Sequence, residues 1–390
     1  MTDVKQLPEQ ESMAVTRKLA RPGVGEDRVE KLRRVAKACS EAGPFSIIIA
    51  QIDPDAIGSA FAMQELLSQM GHAAHIYYQG RVGHPQNEAL CNKLGLMGRM
   101  REMPPRGSTL EVIAALTNVV LVDSSKAKDS RLPFEVEPVI VVDHHQKSDI
   151  DDGDDVFLWL DESVGSASTM MAELLSETTQ DGWEFKSDLA LMLALGIYTD
   201  CKSNTRSGER DDQAYAWVKR YTDNTALSNL VNYKRKFTFL KHLGRAVAYV
   251  GKHDTYREGR ILGGLGRIPE NCGDDLAMVA DELLRTVGAP LAVTWAIVEI
   301  KDKVSGDTSL KIRVCARSED YTTNLGEQLA ARFGDKSGAK ALPDGSAEGG
   351  ALFEFPGVGP WAKDDEMEEI VNRRIIEWFY DKDSITGETE

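Results

Sequence analysis

The fold is decided by one short stretch, residues 45–60, which reads FSIIIAQIDPDAIGSA. Its first part, Phe45–Ala50, is a short β-branched apolar run of the kind that forms buried strands. An acidic turn with Asp53 and Asp55 follows, and a helix is predicted from Ala56 to Met70. A strand, an acidic turn and a helix in this order predict one unit of a parallel α/β sheet.

The same order of elements recurs along the chain. Further strands are predicted at 74–78, 118–122 and 138–142, and helices at 29–39 and 85–94. This alternation predicts an α/β fold whose N-terminal domain is a parallel, doubly wound sheet. Ligands of such sheets lie beyond the carboxyl ends of the strands. Because Asp53, Asp55, Asp123 and His144 follow predicted strands, we expect them to meet at that edge.

The second half of the chain predicts a smaller α+β domain. Helices are predicted at 167–176, 187–199, 211–221, 227–247, 323–333 and 364–380. Strands are predicted at 248–252, 260–266, 292–300, 309–316 and 351–355, and the Gly- and Ser-rich residues 334–350 are expected to form a loop. The predicted divisions are a flexible N-terminal segment (1–25), an α/β domain (26–226), a linker helix (227–246), an α+β domain (247–362) and a C-terminal helix and tail (363–390).

Composition and charge exclude several classes of protein. The 390 residues carry a formal net charge of −16, whereas a protein that grips long duplex DNA usually has a basic face. There is no membrane-length apolar run, no apolar core of a secretory signal and no CxxC pair among the five cysteines. We therefore expect a cytoplasmic protein that acts on a small phosphorylated compound or a short oligonucleotide, with neither a membrane nor long duplex DNA as a partner. A homodimer is compatible with the sequence.

Acidic residues and histidines are concentrated at the predicted strand and helix ends. Each aspartate alone has a structural explanation, because aspartate caps helices and forms turns. Several carboxylates at one sheet edge would repel one another and lose hydration unless a cation neutralised them. Oxygen ligands with one or two imidazoles suit Mn²⁺ or Mg²⁺ better than structural zinc. One or two such ions could activate water and hold a phosphoryl group.

Four segments together resemble a known family, the DHH phosphoesterases. They are DPDAIGSA (53–60), LVDSS (121–125), VVDHHQ (141–146) and GIYTD (196–200), in the family's order and at comparable spacing. The C-terminal part resembles the DHH-associated domain through ARS (316–318), Asn324, FG (333–334) and the pair Gly349–Gly350. In architecture, the chain is most similar to the branch that degrades very short RNAs and linear dinucleotides.

The resemblance implies a role for each matching residue. Asp123 matches the carboxylate that bridges two metal ions, and Asp53 matches a ligand of one of them. The other ion would be bound by Asp55, His144 and Asp200. His145 matches the residue near the scissile phosphate, where it could stabilise developing charge, and Asp143 would orient the histidines.

The chain departs from the family pattern at two places. Ile49 stands where the family usually has a metal-binding histidine, and Gln51 is the nearest polar residue. The resemblance therefore implies one complete and one impaired metal site. The GGGH-type loop of related phosphodiesterases is replaced by residues 334–350, which contain no histidine.

Several basic residues are candidates for binding substrate phosphate. Arg81 and His84 lie in a GR…HPxN stretch similar to one found in some family members, although this stretch could equally be a loop and a helix start. Arg206 follows Asp200, and Arg317 lies in the second domain, where a guanidinium could bind phosphate with two hydrogen bonds. The resemblance adds Asn324, Gly349 and Gly350 to the substrate-binding residues.

Three functions remain open at this point. The first is a manganese-dependent phosphodiesterase that hydrolyses short oligonucleotides or linear dinucleotides. The second is a hydrolase of a phosphoanhydride or phosphomonoester, such as pyrophosphate, short polyphosphate or a nucleoside bisphosphate. The third is a non-catalytic nucleotide-binding relative, which the substitution at Ile49 would explain.

Overall fold

The computed structural model describes residues 25–129, 131–145, 148–178, 184–257, 259–301, 308–319, 324–334, 337–341, 346–353 and 364–380. Almost all of the predicted flexible segment and the tail after residue 380 lie outside these residues. The chain divides into two compact units. The first comprises residues up to Gly80 together with Gly98–Ser228, and the second comprises Arg81–Met97 together with the residues from Asn229 onward. The predicted domain boundaries remain a prediction.

The helices and strands are numbered in chain order. The helices are α1 (Glu26–Cys39), α2 (Pro54–Gln69), α3 (Pro85–Leu94), α4 (Leu110–Ala114), α5 (Ala167–Thr178), α6 (Ser187–Asp200), α7 (Glu209–Lys219), α8 (Asn224–Val231), α9 (Phe237–His253), α10 (Asp275–Val287), α11 (Leu325–Phe333) and α12 (Asp364–Tyr380). The strands are β1 (Phe45–Ile49), β2 (Ala74–Tyr78), β3 (Met100–Glu102), β4 (Val119–Val122), β5 (Pro138–Asp143), β6 (Phe157–Leu160), β7 (Tyr256–Arg257), β8 (Arg260–Pro269), β9 (Leu291–Lys301), β10 (Thr308–Ser318), β11 (Ser337–Ala341) and β12 (Ala347–Phe353). None of the described helices is long and apolar enough to cross a membrane.

The first unit contains a sheet whose six described strands are all parallel, in the order β3-β2-β1-β4-β5-β6. All five residues of β1 are buried, as expected for a strand covered by helices on both faces. The strand order reverses between β1 and β4, and in doubly wound sheets the ligand crevice lies at this switch point. The predicted fold class is confirmed.

The second unit contains a mixed sheet in the order β11-β12-β10-β9-β8-β7, in which β8 and β9 are parallel. Alternate residues of β9 supply two separate cores, because successive side chains of a strand point to opposite faces. Val293 and Trp295 pack with residues of α11 and α12. Ala292 and Ala296 pack with residues of α9 and α10 on the other face. The unit is therefore a sheet with helices on both faces.

Some predicted elements of the second half were wrong. The predicted helix 227–247 is two helices, α8 and α9, and the residues between them form ion pairs: Arg235 pairs with Glu282, and Lys236 with Glu88. The predicted strand 248–252 is the end of α9, which Asp254 terminates in a left-handed conformation. The predicted loop 334–350 contains β11 and the start of β12, and α10 was not predicted.

Candidate metal centre

The predicted ligands come from the ends of neighbouring strands in the first unit. Asp53 follows β1 and is the N-cap of α2, where its Oδ1 accepts a hydrogen bond from the Ala56 N–H at 2.9 Å. Asp123 follows β4, the strand next to β1, and Asp143 is the last residue of β5. Parallel strands end at one edge, so the fold brings these carboxylates to the switch point.

Asp55 is fully buried in the first turn of α2. Its two carboxylate oxygens accept hydrogen bonds from the backbone N–H groups of Ala167 and Ser168, each at 2.7 Å. These donors belong to the first turn of α5, where the helix dipole also favours a negative charge. The carboxylate is therefore held rigidly before any ligand binds.

A close crossing of α2 and α6 brings Asp200 to the same place. A Cβ added to Gly196 would lie 3.0 Å from Asp55 Cα and 3.1 Å from the Pro54 carbonyl oxygen. Both distances are tighter than nine in ten real Cβ contacts, and the same Cβ would lie only 2.4 Å from Ser168 Oγ, so the crossing favours glycine. Asp200 lies one helical turn beyond Gly196 and therefore shares its face of α6.

The imidazole of His144 lies between the carboxylates of Asp123 and Asp200. Its Nε2 lies 3.4 Å from Asp123 Oδ1 and 3.3 Å from Asp200 Oδ2. Asp123 itself has a backbone φ of 53°, a left-handed conformation that costs free energy in residues other than glycine and is concentrated at functional sites. The two residues are nearly buried, each with a side chain that is 8% exposed.

His145 and Asp143 form a second contact at the edge of this cluster. Asp143 Oδ1 lies 2.6 Å from His145 Nδ1 and also accepts from the His145 backbone N–H at 3.2 Å. The His145 ring lies 4.3 Å from the His144 ring, centroid to centroid. The imidazole of His145 is therefore held in one orientation while its side chain stays 36% exposed.

The residues fit a divalent cation. Among the described residues, candidate ligand atoms within 4.8 Å of one another form two groups that share His144: Asp55, His144 and Asp200, and Asp123, Asp143, His144 and His145. Asp123 Oδ1 and His144 Nε2 are both buried without a hydrogen-bond partner. Buried polar atoms are almost always satisfied, so two unsatisfied ligand atoms 3.4 Å apart fit a binding site for a cation.

A family comparison agrees with this geometry. Residues 46–197 match the model described as "DHH family, N-terminal domain". The chain contains a DHH family domain. An uncharacterized protein of Methanocaldococcus jannaschii is 26% identical over 333 residues, which cover 83% of this chain and 62% of that protein. A probable manganese-dependent inorganic pyrophosphatase of Streptococcus mutans is 31% identical over 149 residues, 38% of this chain and 44% of that protein. The chain thus spans less than two thirds of either relative.

A solved structure shares the fold over nearly the whole chain. An exopolyphosphatase-related protein from Bacteroides fragilis superposes with a TM-score of 0.61 over 91% of this chain and 97% of that one. The two sequences are only 12% identical, so this similarity concerns the fold.

Without a cation, the carboxylates of the DHH domain disturb one another's protonation. Burial, followed by Asp200 and Asp123, raises the pKa of Asp55 to about 8, although the hydrogen bond from Ser168 acts in the opposite direction. Burial and Asp123 also raise the pKa of Asp53. Burial lowers the pKa of His144, but the neighbouring carboxylates of Asp123 and Asp200 outweigh it and raise this pKa well above its usual value. Bound protons on Asp53, Asp55 and His144 therefore reduce the repulsion between the carboxylates.

The metal-free protein should lose stability as the pH rises from 6 to 8.5. A group whose pKa is raised on folding binds its proton more tightly in the folded state, so its stabilising effect is lost as the pH rises through that pKa. For Asp55 this window runs from about 4 to about 8. Thermal unfolding in the presence of a chelator should show a Tm that falls as the pH rises, whereas saturating Mn²⁺ should remove this dependence of Tm on pH. A flat profile in chelator would contradict the predicted coupling.

Asp53, Ile49 and Gln51, which the sequence analysis considered for the second metal site, lie outside both groups of ligand atoms. Asp53 belongs to neither group of mutually close ligand atoms, and one of its oxygens accepts the Ala56 N–H. Ile49 is fully buried in β1 and offers no ligand atom. Gln51 is exposed, and its Oε1 accepts a hydrogen bond from Arg131 Nη1 at 3.3 Å. Among the predicted carboxylate ligands that the structure describes, Asp53 therefore lies outside both groups.

The predicted phosphate-binding residues Arg81 and His84 belong to the second unit. Arg81 Nη1 lies 3.7 Å from Glu270 Oε2. His84 precedes α3, where its Nδ1 accepts from the Gln86 N–H, and its Nε2 lies 3.3 Å from the Tyr233 hydroxyl. Their contact with phosphate remains a prediction, as does that of Arg206, which follows α6 in the first unit.

The other predicted substrate residues of the second unit have structural contacts. Arg317 donates to Asp281 Oδ1 at 2.7 Å, and Asn324 caps α11. Gly349 faces Leu329, whose Cδ1 would lie 2.6 Å from an added Cβ, and Gly350 would place a Cβ 2.6 Å from the Val314 carbonyl oxygen. These contacts explain the residues without a ligand, and their predicted substrate role remains untested.

Another group of ligand-type side chains lies in the second unit. His242 Nδ1 is 2.6 Å from Asp275 Oδ2, and the Cys272 thiol lies near both. Asp275 is the first residue of α10, where the positive end of the helix dipole disfavours a cation. Burial raises the pKa of Cys272, which opposes formation of the thiolate that a metal needs. The trio is better explained as a hydrogen-bonded helix start than as a metal site.

Sequence reasoning did not predict two charged residues near the metal centre, Asp129 and Arg131. They lie between β4 and β5 and bind each other through several hydrogen bonds. A loop without apolar periodicity carries no pattern that would have placed them at the centre.

Proposed function

We propose that this chain is a manganese-dependent phosphodiesterase that hydrolyses short oligonucleotides or linear dinucleotides. The observation that carries the proposal is the pair of buried, unsatisfied ligand atoms, Asp123 Oδ1 and His144 Nε2, within a cluster of carboxylates. The DHH domain and the manganese-dependent relative support this reading. Oxygen-rich ligands with imidazole nitrogen suit Mn²⁺, and Mg²⁺ is the next candidate.

The residues of the centre would have different roles in hydrolysis. Asp55, Asp123, His144 and Asp200 would hold the ion, which when bound lowers the pKa of water and neutralises charge on phosphoryl oxygens. Asp55 stays in place because α5 donates two hydrogen bonds to it. Asp55, His144 and Asp200 form a group of mutually close ligand atoms for one ion, whereas a second ion would rely on Asp53 and Asp123.

His145 would act on the substrate rather than on the ion. Asp143 lies against Nδ1 at 2.6 Å, which leaves Nε2 as the ring atom that can exchange a proton. Its partly exposed side chain is accessible to a phosphate ester. As an imidazolium, it would stabilise the negative charge that develops on the phosphoryl group.

The proposal predicts a specific substrate pattern. Purified protein with Mn²⁺ should release mononucleotides from linear dinucleotides and from oligonucleotides of a few residues, and a chelator should abolish this release. Long duplex DNA should remain intact, because the chain has a net charge of −16. Products are measured by chromatography. Intact dinucleotides and intact artificial phosphodiesters after prolonged incubation would refute the proposed activity.

A second candidate function is hydrolysis of pyrophosphate or another phosphoanhydride. It is favoured by the similarity of 149 residues of this chain to the probable pyrophosphatase of Streptococcus mutans. Phosphate release from pyrophosphate, compared with nucleotide release from dinucleotides under the same conditions, separates the two functions. Tight nucleotide binding without any turnover would instead indicate a binding protein.

A further inference from the structure

The position of Arg131 adds a fixed positive charge to the metal centre. Its guanidinium is held from one side by Asp129, with Nε 3.0 Å from Oδ1 and Nη2 2.6 Å from Oδ2. The remaining terminal nitrogen, Nη1, lies 3.3 Å from Gln51 Oε1. Gln51 is two residues from Asp53, so the guanidinium reaches across from the loop after β4 to the end of β1.

Asp129 is itself fixed in place. Its carboxylate is nearly buried and accepts a hydrogen bond from Ser124 Oγ at 3.1 Å. Ser124 directly follows Asp123, so the loop that carries the guanidinium is tied to the backbone of a predicted metal ligand. Hydrogen bonds from Arg131 and Ser124 outweigh burial and lower the pKa of Asp129, which stays charged and holds the guanidinium.

The guanidinium also lies close enough to the metal ligands to interact with them. Burial lowers the pKa of Arg131, but Asp129, then Asp123 and Asp53, raise it overall. Its side chain is nevertheless 42% exposed, so a ligand can reach it from solvent. An arginine that served only to brace the loop would need neither this exposure nor proximity to Asp53 and Asp123.

We propose that Arg131 is a further catalytic residue, whose guanidinium binds a non-bridging oxygen of the substrate phosphoryl group on the Asp53 side of the centre. This inference rests on the proposed function. A planar guanidinium suits phosphate oxygens and keeps its proton, so it contributes charge and orientation without taking part in proton transfer. It supplies positive charge near Asp53, which lies outside both groups of mutually close ligand atoms. Asp129 is then a positioning residue that acts through Arg131.

The test measures binding of inorganic phosphate by calorimetry, in the presence of Mn²⁺, to the full chain and to Arg131→Gln. Phosphate affinity should fall about 10- to 100-fold, the effect of losing a hydrogen bond to a charged group. Binding of Mn²⁺ alone should be unchanged or slightly stronger, because a neighbouring positive charge has been removed. Arg131→Lys, which keeps the charge but loses the planar fork, should give an intermediate phosphate affinity.

Lys128→Gln is the matched control. Lys128 lies on the same loop, is exposed and pairs only weakly with Glu135 at 3.3 Å, so its removal changes the net charge equally. Phosphate affinity of this variant should stay within about two-fold of the original. Equal phosphate affinities in Arg131→Gln and the original chain would overturn the inference, and so would a loss of Mn²⁺ binding together with a lower Tm in both Arg131 variants. Failure of the proposed function appears separately, as absence of ester hydrolysis by the original chain.

Discussion

Replacing Asp123 by asparagine is expected to reduce kcat/KM for phosphate-ester hydrolysis by well over 100-fold, since mutating groups that only orient metal ligands already costs about 10- to 100-fold. Asp123 Oδ1 is buried, unsatisfied and 3.4 Å from His144 Nε2. An amide in its place removes one negative charge from the centre and weakens the attraction for a cation. Calorimetric titration with Mn²⁺, together with initial rates on the preferred substrate, measures both consequences.

The fold of this variant should survive. Asparagine tolerates the left-handed conformation that residue 123 adopts, with φ at 53°, better than most residues do. Removing a charge from crowded carboxylates should leave the metal-free Tm unchanged or higher. Asp188→Asn, at an exposed position in the first turn of α6, is the control and should keep full Mn²⁺ affinity. Normal activity in Asp123→Asn would exclude a metal mechanism at this centre.

Gly196→Ala is expected to have the second largest effect, because it pushes α6 away from α2. The added Cβ would lie 2.4 Å from Ser168 Oγ and 3.0 Å from Asp55 Cα, and the backbone atoms cannot move aside cheaply. Overpacking of this kind typically costs about 1–3 kcal/mol, which exceeds the gain of about 1 kcal/mol that alanine brings to a helix. Asp200 would shift from Asp55, so Mn²⁺ affinity should fall at least about 10-fold, as it does when a ligand's support is lost.

The chain offers a matched control for this substitution. Gly244 also lies within a helix, α9, but an added Cβ there meets nothing within 4 Å. Gly244→Ala should therefore raise the free energy of unfolding by up to about 1 kcal/mol and leave Mn²⁺ affinity unchanged. Thermal unfolding and metal titration of both variants test the explanation. Equal effects at the two glycines would mean that the helix crossing does not position the ligands.

The meeting of the predicted metal ligands was the part of the candidate site that the sequence predicted most directly. Strands β1 and β4 are short apolar runs followed by Asp53 and Asp123, β5 ends at Asp143, and parallel strands must end at one edge. The local pattern and the sheet rule together place these residues. Asp200 was noted at the end of an apolar helix, but its role as a ligand came from the resemblance, because its proximity to Asp55 depends on a helix crossing that no local pattern encodes.

The remainder of the site depends on contacts between distant segments. Arg131 reaches Gln51 across 80 residues of sequence, and the loop around it has no periodic pattern. The residues between α8 and α9 also contact distant segments, because Arg235 pairs with Glu282 and Lys236 with Glu88. Glycine-rich residues near 334–350 suggested a loop, yet β12 uses Gly349 and Gly350 to let neighbouring backbone and Leu329 approach closely. Tertiary packing, not local preference, decided these features.

The second unit is assembled from two separate pieces of the chain. Residues 81–97 belong to it, and α3 within this piece is anchored by Gln86, whose side chain donates to the Leu230 carbonyl at 3.0 Å, and by the ion pair between Glu88 and Lys236. A fragment that starts at residue 229 would lack this helix and would expose the surface that it covers. During synthesis, residues 81–97 can therefore pack against the rest of the second unit only after more than 130 further residues have been made, because that part begins at Asn229.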